Sequence, residues 1–583
     1  MPAAVLAGRA ARRLVRRLCR LPVRVVAAGR RCPGGDPSAG PAPDPVALTE
    51  RRLLARHPGL VRHAGLLAGI RDDLLSWQAR DAALAEVAGV LDGAGIGYAL
   101  VPDPGYRHRL AIRPGDRGAV LDAFAEACAD RPVYFELLGH GKELGLTLAD
   151  GLAAAVAAVE AVPEPAEPSE PSGPGEPGEP EIERVKGLRV FRPTVTTGRT
   201  LYYGADHGCD LEFWDPGAEG TGVVAAIAET PYGWWLPSME TSGPVRIAGR
   251  DVPVLGPLAG TFPGDIDPPV DAVITWVDDG DRRWRHRRAE ALAAAGPDLP
   301  LDAAEHRYRK RGELRYCLRS IASYAPWIRQ VFLVTDDQVP PWLDTAHPGI
   351  TVVPHRELFA DPAVLPVFNS HAIETQLHRI PGLAEHFLYF NDDLFLGRPV
   401  QPQSFFLGSG LPRILRNDRT VPPGDRTEED SVYAAAQKNA RAALLAAFGR
   451  TYPQILSHSP HPLSRRLLAE SAERFAAGLA ETAGSVFRSA ADLPPVTLAL
   501  YAAHATGRAV DARLEHFYAA TDQPDQLGRL AELLTSRWAD TFCLADGDGR
   551  EMPAEEQGRV LAQFLRAYFP VPSPYERPAP APA

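Results

Sequence analysis

The sequence predicts an α/β protein with a mostly parallel sheet at its core, a helical C-terminal part and a smaller N-terminal α/β module. From residue 270 onward, short runs of β-branched and aromatic residues alternate with segments of helical periodicity. Such alternation is typical of βαβ units, whose strands run parallel beneath helices on both faces of the sheet. The best-defined strand, Phe387–Asn391, is followed directly by the carboxylates of Asp392 and Asp393.

Composition limits the class of protein. The chain has 583 residues, enough for two to four domains, with 45% hydrophobic and 23% charged residues, as in soluble globular proteins. A net charge of −11 argues against broad nucleic-acid binding. The six cysteines include no C-x-x-C pair, which favours a reducing, cytoplasmic compartment and argues against structural zinc. No apolar run reaches the roughly 18 residues of a membrane-spanning helix.

The N-terminal segment, 1–31, differs from the rest because it is rich in arginine and has no acidic residue. Two interpretations stay open. The arginines recur at helical spacing with apolar residues between them, which suits an amphipathic helix on the anionic inner face of the cell membrane. A solvated, disordered arm is the alternative. A secretory signal does not fit, because the arginines interrupt any apolar stretch. With the Pro/Gly-rich residues that follow, 1–46 forms an arm and linker.

The next segments divide by composition. Residues 47–161 form a small α/β module, with helical periodicity over 47–90 and a helix near 116–129. Residues 162–183 are an acidic Pro/Gly tract that cannot bury a core, so they form a linker. Residues 184–265 are a β-rich lead-in, with short strands at Leu188–Phe191, Thr200–Tyr203, Cys209–Trp214 and Val245–Ile247.

The remaining residues, 266–576, form the main domain, and 577–583 are a frayed tail. Residues 432–448 are helical and 462–520 mainly so. The other elements alternate between strands at Asp271–Val277, Val331–Thr335, Ile350–Val353 and Phe387–Asn391 and helices at Glu313–Tyr324 and Ser370–Ile380.

The strand that ends at Asn391 predicts a ligand site. Ligands of open α/β sheets bind at the carboxyl ends of strands. Two adjacent carboxylates there are costly unless a positive group neutralises them. Hard oxygen ligands suit Mg²⁺ or Mn²⁺. Asp392 and Asp393 therefore indicate a divalent cation and a phosphorylated ligand.

Other polar motifs are ambiguous in isolation. The acidic turn containing Asp278 and Asp281 is more often a solvated loop or a helix cap. Ser370 is a plausible N-cap, and Glu374 lies on the same helical face. Polar side chains on a helix that packs against a sheet are energetically costly unless they have a function. An isolated polar residue there is nevertheless more often structural.

Two further motifs carry possible chemistry. His458 and His461 lie in a loop before a helix, and histidine is the usual base for a hydroxyl group near neutral pH. Without further context, this would be an ordinary surface loop. Arg488 could neutralise a transferring phosphoryl group, but it is one arginine among many.

Taken together, four separated blocks resemble the Stealth family of sugar-phosphate transferases, in the family's order. The resemblance covers roughly 265–576 and implies a glycosyltransferase-A-like, Rossmann-like fold. It also implies transfer of a sugar-1-phosphate from a nucleotide diphosphosugar to a glycan hydroxyl, with release of a nucleoside monophosphate. The blocks are Asp271–Asp281, Arg307 through Asn391-Asp392-Asp393, Ser457–His461, and Phe542-Cys543-Leu544 through Phe569–Pro574.

The resemblance implies residue roles. Asp392 and Asp393 would hold Mg²⁺ or Mn²⁺ at the diphosphate, His458 would be the base, and Arg488 would contact the donor phosphates. Trp276, Asp278 and Asp281 would lie at the nucleotide end. The remaining substrate contacts would be Asn369, Ser370, Glu374, His378, Arg379, Asn391 and His461.

The resemblance indicates the donor and the acceptor only by chemical class. UDP-N-acetylhexosamine is one candidate donor, and a surface polysaccharide or exopolysaccharide is the expected acceptor. Lys310-Arg311 departs from the acidic or amide pair of many members, which could change the accepted sugar.

Two other functions stay open. A metal-dependent glycosyltransferase would transfer the sugar alone and release a nucleoside diphosphate. A non-catalytic partner in envelope assembly, docked by its basic arm, would give no turnover.

Overall fold

The computed structural model describes residues 45–102, 105–161, 184–296, 303–546 and 552–578. The chain divides into two compact units, Met1–Phe262 and Pro263–Ala583. The predicted arm, 1–31, and the predicted acidic linker, 162–183, lie outside the described residues. Within those ranges, no helix combines the length and the hydropathy needed to cross a membrane.

The first unit contains four α-helices and fifteen strands among its described residues. The helices are α1 (Pro45–Arg56), α2 (Ser76–Gly93), α3 (Arg117–Ala127) and α4 (Leu152–Glu160). The strands are β1 (Leu60–His63), β2 (Leu66–Ile70), β3 (Tyr98–Val101), β4 (His108–Ile112), β5 (Tyr134–Leu138), β6 (Glu143–Leu148), β7 (Gly187–Phe191), β8 (Thr194–Val195), β9 (Tyr202–Tyr203), β10 (Cys209–Phe213), β11 (Asp215–Pro216), β12 (Val223–Val224), β13 (Trp235–Leu236), β14 (Thr241–Ile247) and β15 (Arg250–Leu255).

An eight-stranded mixed sheet, ordered β14-β15-β3-β4-β10-β7-β5-β6, joins the two segments that composition separates. β4 and β10 run parallel although they come from opposite sides of the linker. One core of this unit packs Leu84, Phe124 and Leu211, all fully buried. The segment with helical periodicity, 47–90, contains the helices α1 and α2 separated by the antiparallel hairpin β1–β2.

The second unit begins with β16 (Val270–Thr275) and ends with a long amphipathic helix. Its helices are α5 (Arg282–Ala295), α6 (Glu313–Tyr324), α7 (His355–Leu358), α8 (Ser370–Glu374), α9 (Val432–Phe448), α10 (Arg465–Arg474), α11 (Ala476–Ala483), α12 (Pro495–Ala505), α13 (Gln526–Ser536) and α14 (Ala554–Tyr568). Its other strands are β17 (Ile328–Thr335), β18 (Ile350–Pro354), β19 (His386–Asn391), β20 (Leu394–Leu396), β21 (Arg413–Ile414), β22 (Arg416–Thr420), β23 (Gln454–Leu456), β24 (His461–Ser464), β25 (Val510–Asp511), β26 (His516–Ala520) and β27 (Thr541–Ala545).

The central sheet of this unit confirms the predicted fold class. Its order is β18-β17-β16-β19-β24, in which the first four strands are parallel and β24 is antiparallel. Val273, Ile274 and Leu388 are fully buried. Both faces of a parallel sheet are covered, so its strands carry continuous apolar runs. The chain adds strands outward from β16 in one direction and then in the other. The topological switch point therefore lies between β16 and β19, where open α/β sheets form a ligand crevice.

Two local predictions differ from the structure. The helix predicted over 370–380 is α8 followed by a 3-10 turn at Leu377–Arg379. Its N-cap is Asn369 rather than Ser370, because the Asn369 side chain accepts a hydrogen bond from the backbone N–H of His371. The region 462–520 contains three helices but also β24, β25 and β26.

Candidate active site

A cavity of about 880 Å³ lies at the carboxyl ends of β16 and β19. The parallel register pairs Thr275 with Asn391, so residues that follow the two strands meet at one edge of the sheet. Among the predicted site residues, those lining the cavity are Trp276, Ser370, Glu374, Asn391, Asp392, Asp393, His458, His461 and Arg488.

The carboxyl groups of Glu313, Asp392 and Asp393 all line the cavity, and their charges affect one another. Burial, with the charges of Glu313 and Asp393, raises the pKa of Asp392 well above its ordinary value. Burial also raises the pKa of Glu313 to about 7, and Asp393 adds to the shift. One carboxylate oxygen of Asp393 is buried without a hydrogen-bond partner. In the described part of the chain, no arginine or lysine forms an ion pair with these three groups, so a divalent cation would relieve their repulsion.

Glu313 enters this group through a turn that requires glycine. Gly312 has a φ of 88°, in the left-handed region, and immediately precedes α6. Glu313 is therefore the first residue of the helix and lies against the acidic turn after β19. Sequence reasoning missed it, because an acidic residue in the first helical turn is ordinarily read as a capping residue.

His458 is held along two edges of its ring. Its Nε2 lies 3.3 Å from Nδ2 of Asn391, and its Nδ1 lies 3.2 Å from Sγ of Cys543. The same sulfur is 3.6 Å from Oδ2 of Asp393. Burial raises the pKa of Cys543 well above its ordinary value, so the group is a thiol. The imidazole therefore lies beside the acidic group of the wall.

β27 brings Cys543 to this position by pairing with β20, in a register that places Cys543 opposite Leu394. No local sequence pattern links Cys543 to Asp393 or His458, and sequence reasoning assigned it no role.

Arg488 donates from Nη2 to Oγ of Ser370 over 2.6 Å. Its loop is attached to the start of α8 through the buried carboxylate of Asp492. That carboxylate accepts from Nδ2 of Asn369 at 2.8 Å and from the backbone N–H of Ser489 at 3.1 Å. Asn369 is fully buried behind the cavity wall, where it contributes to the position of Arg488 rather than to the lining.

Glu374 lies beside β19, close to the end of β16. The hydroxyl of Tyr389 is 3.4 Å from Oε1 of Glu374 and 3.0 Å from Oγ1 of Thr275. Burial raises the pKa of Glu374 to about 7, although the charge of Arg488 opposes the shift. The group can therefore hold or release a proton near neutral pH.

The acidic turn after β16 is tied down by its own contacts. Asp278 accepts from Nζ of Lys310 at 2.6 Å. Asp281 caps α5 by accepting from the backbone N–H of Arg283 at 2.8 Å. Burial alone would raise the pKa of Asp281, but the hydrogen bonds from Arg283 and Gln338 hold it below its ordinary value. Neither aspartate lines the cavity, whereas Trp276 does.

His378 and Arg379 lie in the 3-10 turn and not in the cavity lining. Arg379 is exposed, and the carbonyl of His378 accepts a hydrogen bond from Nε of Arg465 at 3.3 Å. Other cavity residues that sequence reasoning did not select include Arg307, Arg309, Tyr518 and Asp546.

Family models for the Stealth protein match three segments of the chain. Conserved region 2 matches residues 307–414, conserved region 3 matches 457–503 and conserved region 4 matches 531–583. The second region ends beyond Asp393, and the third begins next to His458 and contains Arg488.

Curated relatives resemble the chain over most of its length. The exopolysaccharide phosphotransferase SCO2592 of Streptomyces coelicolor is 42% identical over 528 residues, covering 89% of this chain and 53% of the relative. The chain thus spans about half of that protein. The exopolysaccharide phosphotransferase SCO6021 of the same organism is 38% identical over 86% of this chain and 90% of the relative. The exopolysaccharide phosphotransferase CpsY of Mycobacterium tuberculosis is 33% identical, over 89% of this chain and 93% of the relative.

Among solved structures, the galactosyltransferase LgtC in complex with donor and acceptor sugar analogs is 11% identical, with a TM-score of 0.25 over 51% of this chain and 95% of that one. A TM-score this low does not bear on function.

Proposed function

This chain belongs to the Stealth family, and we propose that it transfers a sugar-1-phosphate from a nucleotide diphosphosugar to a hydroxyl group of an acceptor glycan. The expected product is a phosphodiester in a surface polysaccharide or exopolysaccharide, with a nucleoside monophosphate as the leaving group. The names of the curated relatives support the phosphotransferase class.

One observation carries the proposal. Asp392 and Asp393, His458, and Arg488 come from three separate segments of the second unit, and all line one cavity at the switch point of the sheet. Phosphoryl transfer needs positioning and charge neutralisation more than covalent chemistry. The cavity combines an acidic wall suited to a cation, an arginine for phosphate oxygens and an imidazole for a proton.

The proposed reaction forms one bond to phosphorus and breaks another. The acceptor oxygen attacks the phosphorus that carries the sugar, and the bond from that phosphorus to the bridging oxygen of the diphosphate breaks. His458 takes the hydroxyl proton. With Nδ1–H donating to Sγ of Cys543, Nε2 carries the lone pair, which accepts a hydrogen bond from Nδ2 of Asn391 and would take the hydroxyl proton once the acceptor displaces that amide.

The residues present fit a hard divalent cation. Asp392 and Asp393, with Glu313 beside them, offer oxygen atoms that form no ion pair with an arginine or lysine in the described part of the chain. Mg²⁺ or Mn²⁺ held there would neutralise charge on the diphosphate. Arg488, held by Ser370, would contact the donor phosphates.

Analysis of the released nucleotide tests this function. Purified protein is incubated with Mg²⁺, an acceptor glycan and a panel of nucleotide sugars that includes UDP-N-acetylhexosamine. We expect a nucleoside monophosphate, and an acceptor whose mass increases by a sugar plus a phosphate. Release of a nucleoside diphosphate would instead show a glycosyltransferase that transfers the sugar alone. No turnover with any donor would favour a non-catalytic role in envelope assembly.

A further inference from the structure

The side chains of Asp393, His458 and Cys543 converge in a way that oxygen-binding cations do not require. One ligand atom from each residue lies within 4.8 Å of the other two. In the described part of the chain, no other cluster of histidine, cysteine and acidic residues reaches this proximity. Asp393 and His458 line the cavity, so an ion in the cavity can reach them, and Cys543 lies directly behind them.

We propose that these three residues form a binding site for a thiophilic divalent cation of the zinc class, and that its occupation inhibits the transferase. The inhibition rests on the function proposed above, whereas the site itself does not.

The spacing of the ligand atoms supports a tetrahedral ion. Zinc bonds of about 2.0–2.3 Å at tetrahedral angles place neighbouring ligand atoms about 3–4 Å apart. The sulfur of Cys543 lies 3.2 Å from Nδ1 of His458 and 3.6 Å from Oδ2 of Asp393. Both distances fall in that range without movement of the backbone.

The chemistry of the ligand atoms selects the ion. Sulfur and imidazole nitrogen are ligands that zinc and cadmium prefer, whereas Mg²⁺ takes oxygen ligands almost exclusively. On binding, the Cys543 thiol releases its proton to solvent and a sulfur–metal bond forms, with no change in oxidation state.

Occupation of this site would disable two functional groups at once. An imidazole that ligates a metal through one nitrogen holds its remaining proton on the other, so His458 could no longer accept the proton of the acceptor. Asp393 would also be withdrawn from the Mg²⁺ that the proposed reaction uses. Added Mg²⁺ should therefore relieve the inhibition only in part, because Mg²⁺ competes for Asp393 but not for the sulfur of Cys543.

Cadmium titration of the full chain tests the site without an activity assay. Cd²⁺ replaces Zn²⁺ because its bond to a thiolate gives an ultraviolet charge-transfer band. We expect wild-type protein to show this band, and Cys543→Ser to lose it with a fall in Cd²⁺ affinity of more than about tenfold. Cys128→Ser is the matched control, since Cys128 is equally buried but belongs to the first unit. It should keep both the band and the affinity.

Every variant keeps Cys19 and Cys32, which lie outside the described residues, so their contribution is a common background. An undiminished band and affinity in Cys543→Ser would overturn the site. If that variant does not fold, as judged by thermal unfolding, His458→Ala supplies the second test. It should retain sulfur but bind Cd²⁺ more than about tenfold more weakly than wild type, and unchanged affinity would also overturn the site.

The consequence for activity is measured separately at saturating Mg²⁺. Zn²⁺ should suppress transfer by wild-type protein and by Cys128→Ser, but Cys543→Ser should require more than about tenfold higher Zn²⁺. Equal sensitivity of all three proteins would overturn the inhibitory role. If no donor is turned over at all, the proposed function fails, and the cadmium band still decides whether the site exists.

Discussion

At the scale of single residues, the proposed chemistry depends most on His458. Its ring forms hydrogen bonds with Asn391 and Cys543, and truncation to alanine removes this proton acceptor. We expect His458→Ala to lower the turnover rate by about 10²–10⁴-fold. Its melting temperature should stay close to that of wild type. His286→Ala, an exposed position on α5, is the control and should leave turnover unchanged. Near-wild-type turnover in His458→Ala would reject the assignment of the base.

Substitution of Asp393 should change both the activity of the protein and its thermal stability. Asp393→Asn removes one of three carboxyl groups whose charges affect one another. We therefore expect the metal-free variant to melt at the same temperature as wild type or above it. Its activity should be very low and no longer respond to Mg²⁺, and Asp392→Asn should behave in the same way. A Mg²⁺ titration of turnover, paired with thermal unfolding in a chelator, measures both effects. Unchanged Mg²⁺ dependence would reject the role of these carboxylates at the metal.

Glu374 should make stability depend on pH. Its pKa is about 7 in the folded chain against an ordinary 4.5, so the folded state binds the proton more tightly than the unfolded state. The resulting stabilisation is complete below about pH 4.5 and is lost as the pH rises through about 7. Relative to Glu374→Gln, wild type should lose on the order of 3 kcal/mol of unfolding free energy across this window.

Denaturant unfolding of wild type and Glu374→Gln, at several pH values between 5 and 8, measures this difference. The comparison removes the contribution of all other titrating groups. A difference between the two proteins that does not change with pH would show that Glu374 titrates normally.

At the scale of elements, one buried carboxylate joins the loop of Arg488 to α8. Asp492 is 1% exposed and accepts from Asn369 and from the backbone of Ser489. Asp492→Ala leaves both donors without a partner and should cost about 1–3 kcal/mol of unfolding free energy. Because the loop also carries Arg488, the KM for the donor should rise.

The control for Asp492→Ala is Asp525→Ala, at the start of α13, where the exposed carboxylate makes no capping hydrogen bond. Its unfolding free energy should change by less than about 0.5 kcal/mol. A destabilised Asp492→Ala with an unchanged donor KM would show that the loop does not position Arg488.

At the scale of the whole molecule, the candidate site belongs to one unit. The residues of the cavity all lie within Pro263–Ala583, and each unit has buried clusters of its own. The basic segment 1–31 should therefore affect location rather than chemistry. We expect its deletion to weaken binding to anionic vesicles while turnover on a soluble acceptor stays the same. Vesicle sedimentation and the nucleotide-release assay measure the two effects, and unchanged vesicle binding would contradict the amphipathic arm.

Local patterns predicted several elements closely. The helices α6 and α9 have the predicted bounds, since periodicity over three turns or more is a strong signal. β16 and β19 were recognisable as apolar runs, because strands buried on both faces carry no alternation. The strands within 462–520 were missed. β24 has only four residues, and its position as the edge partner of β19 is a long-range property.

The sequence by itself determined the fold class and the positions of the acidic strand end, the histidine loop and Arg488, because each depends on a short run of neighbouring residues. Only the tertiary structure decided which of these groups share a cavity. It placed Glu313 and Cys543 against Asp393 and His458, and it left Asp278, Asp281, His378 and Arg379 outside the lining. The physical reason is the order of strands in the sheets. Pairing of β16 with β19, and of β20 with β27, joins residues far apart in the chain, and no local propensity encodes those pairings.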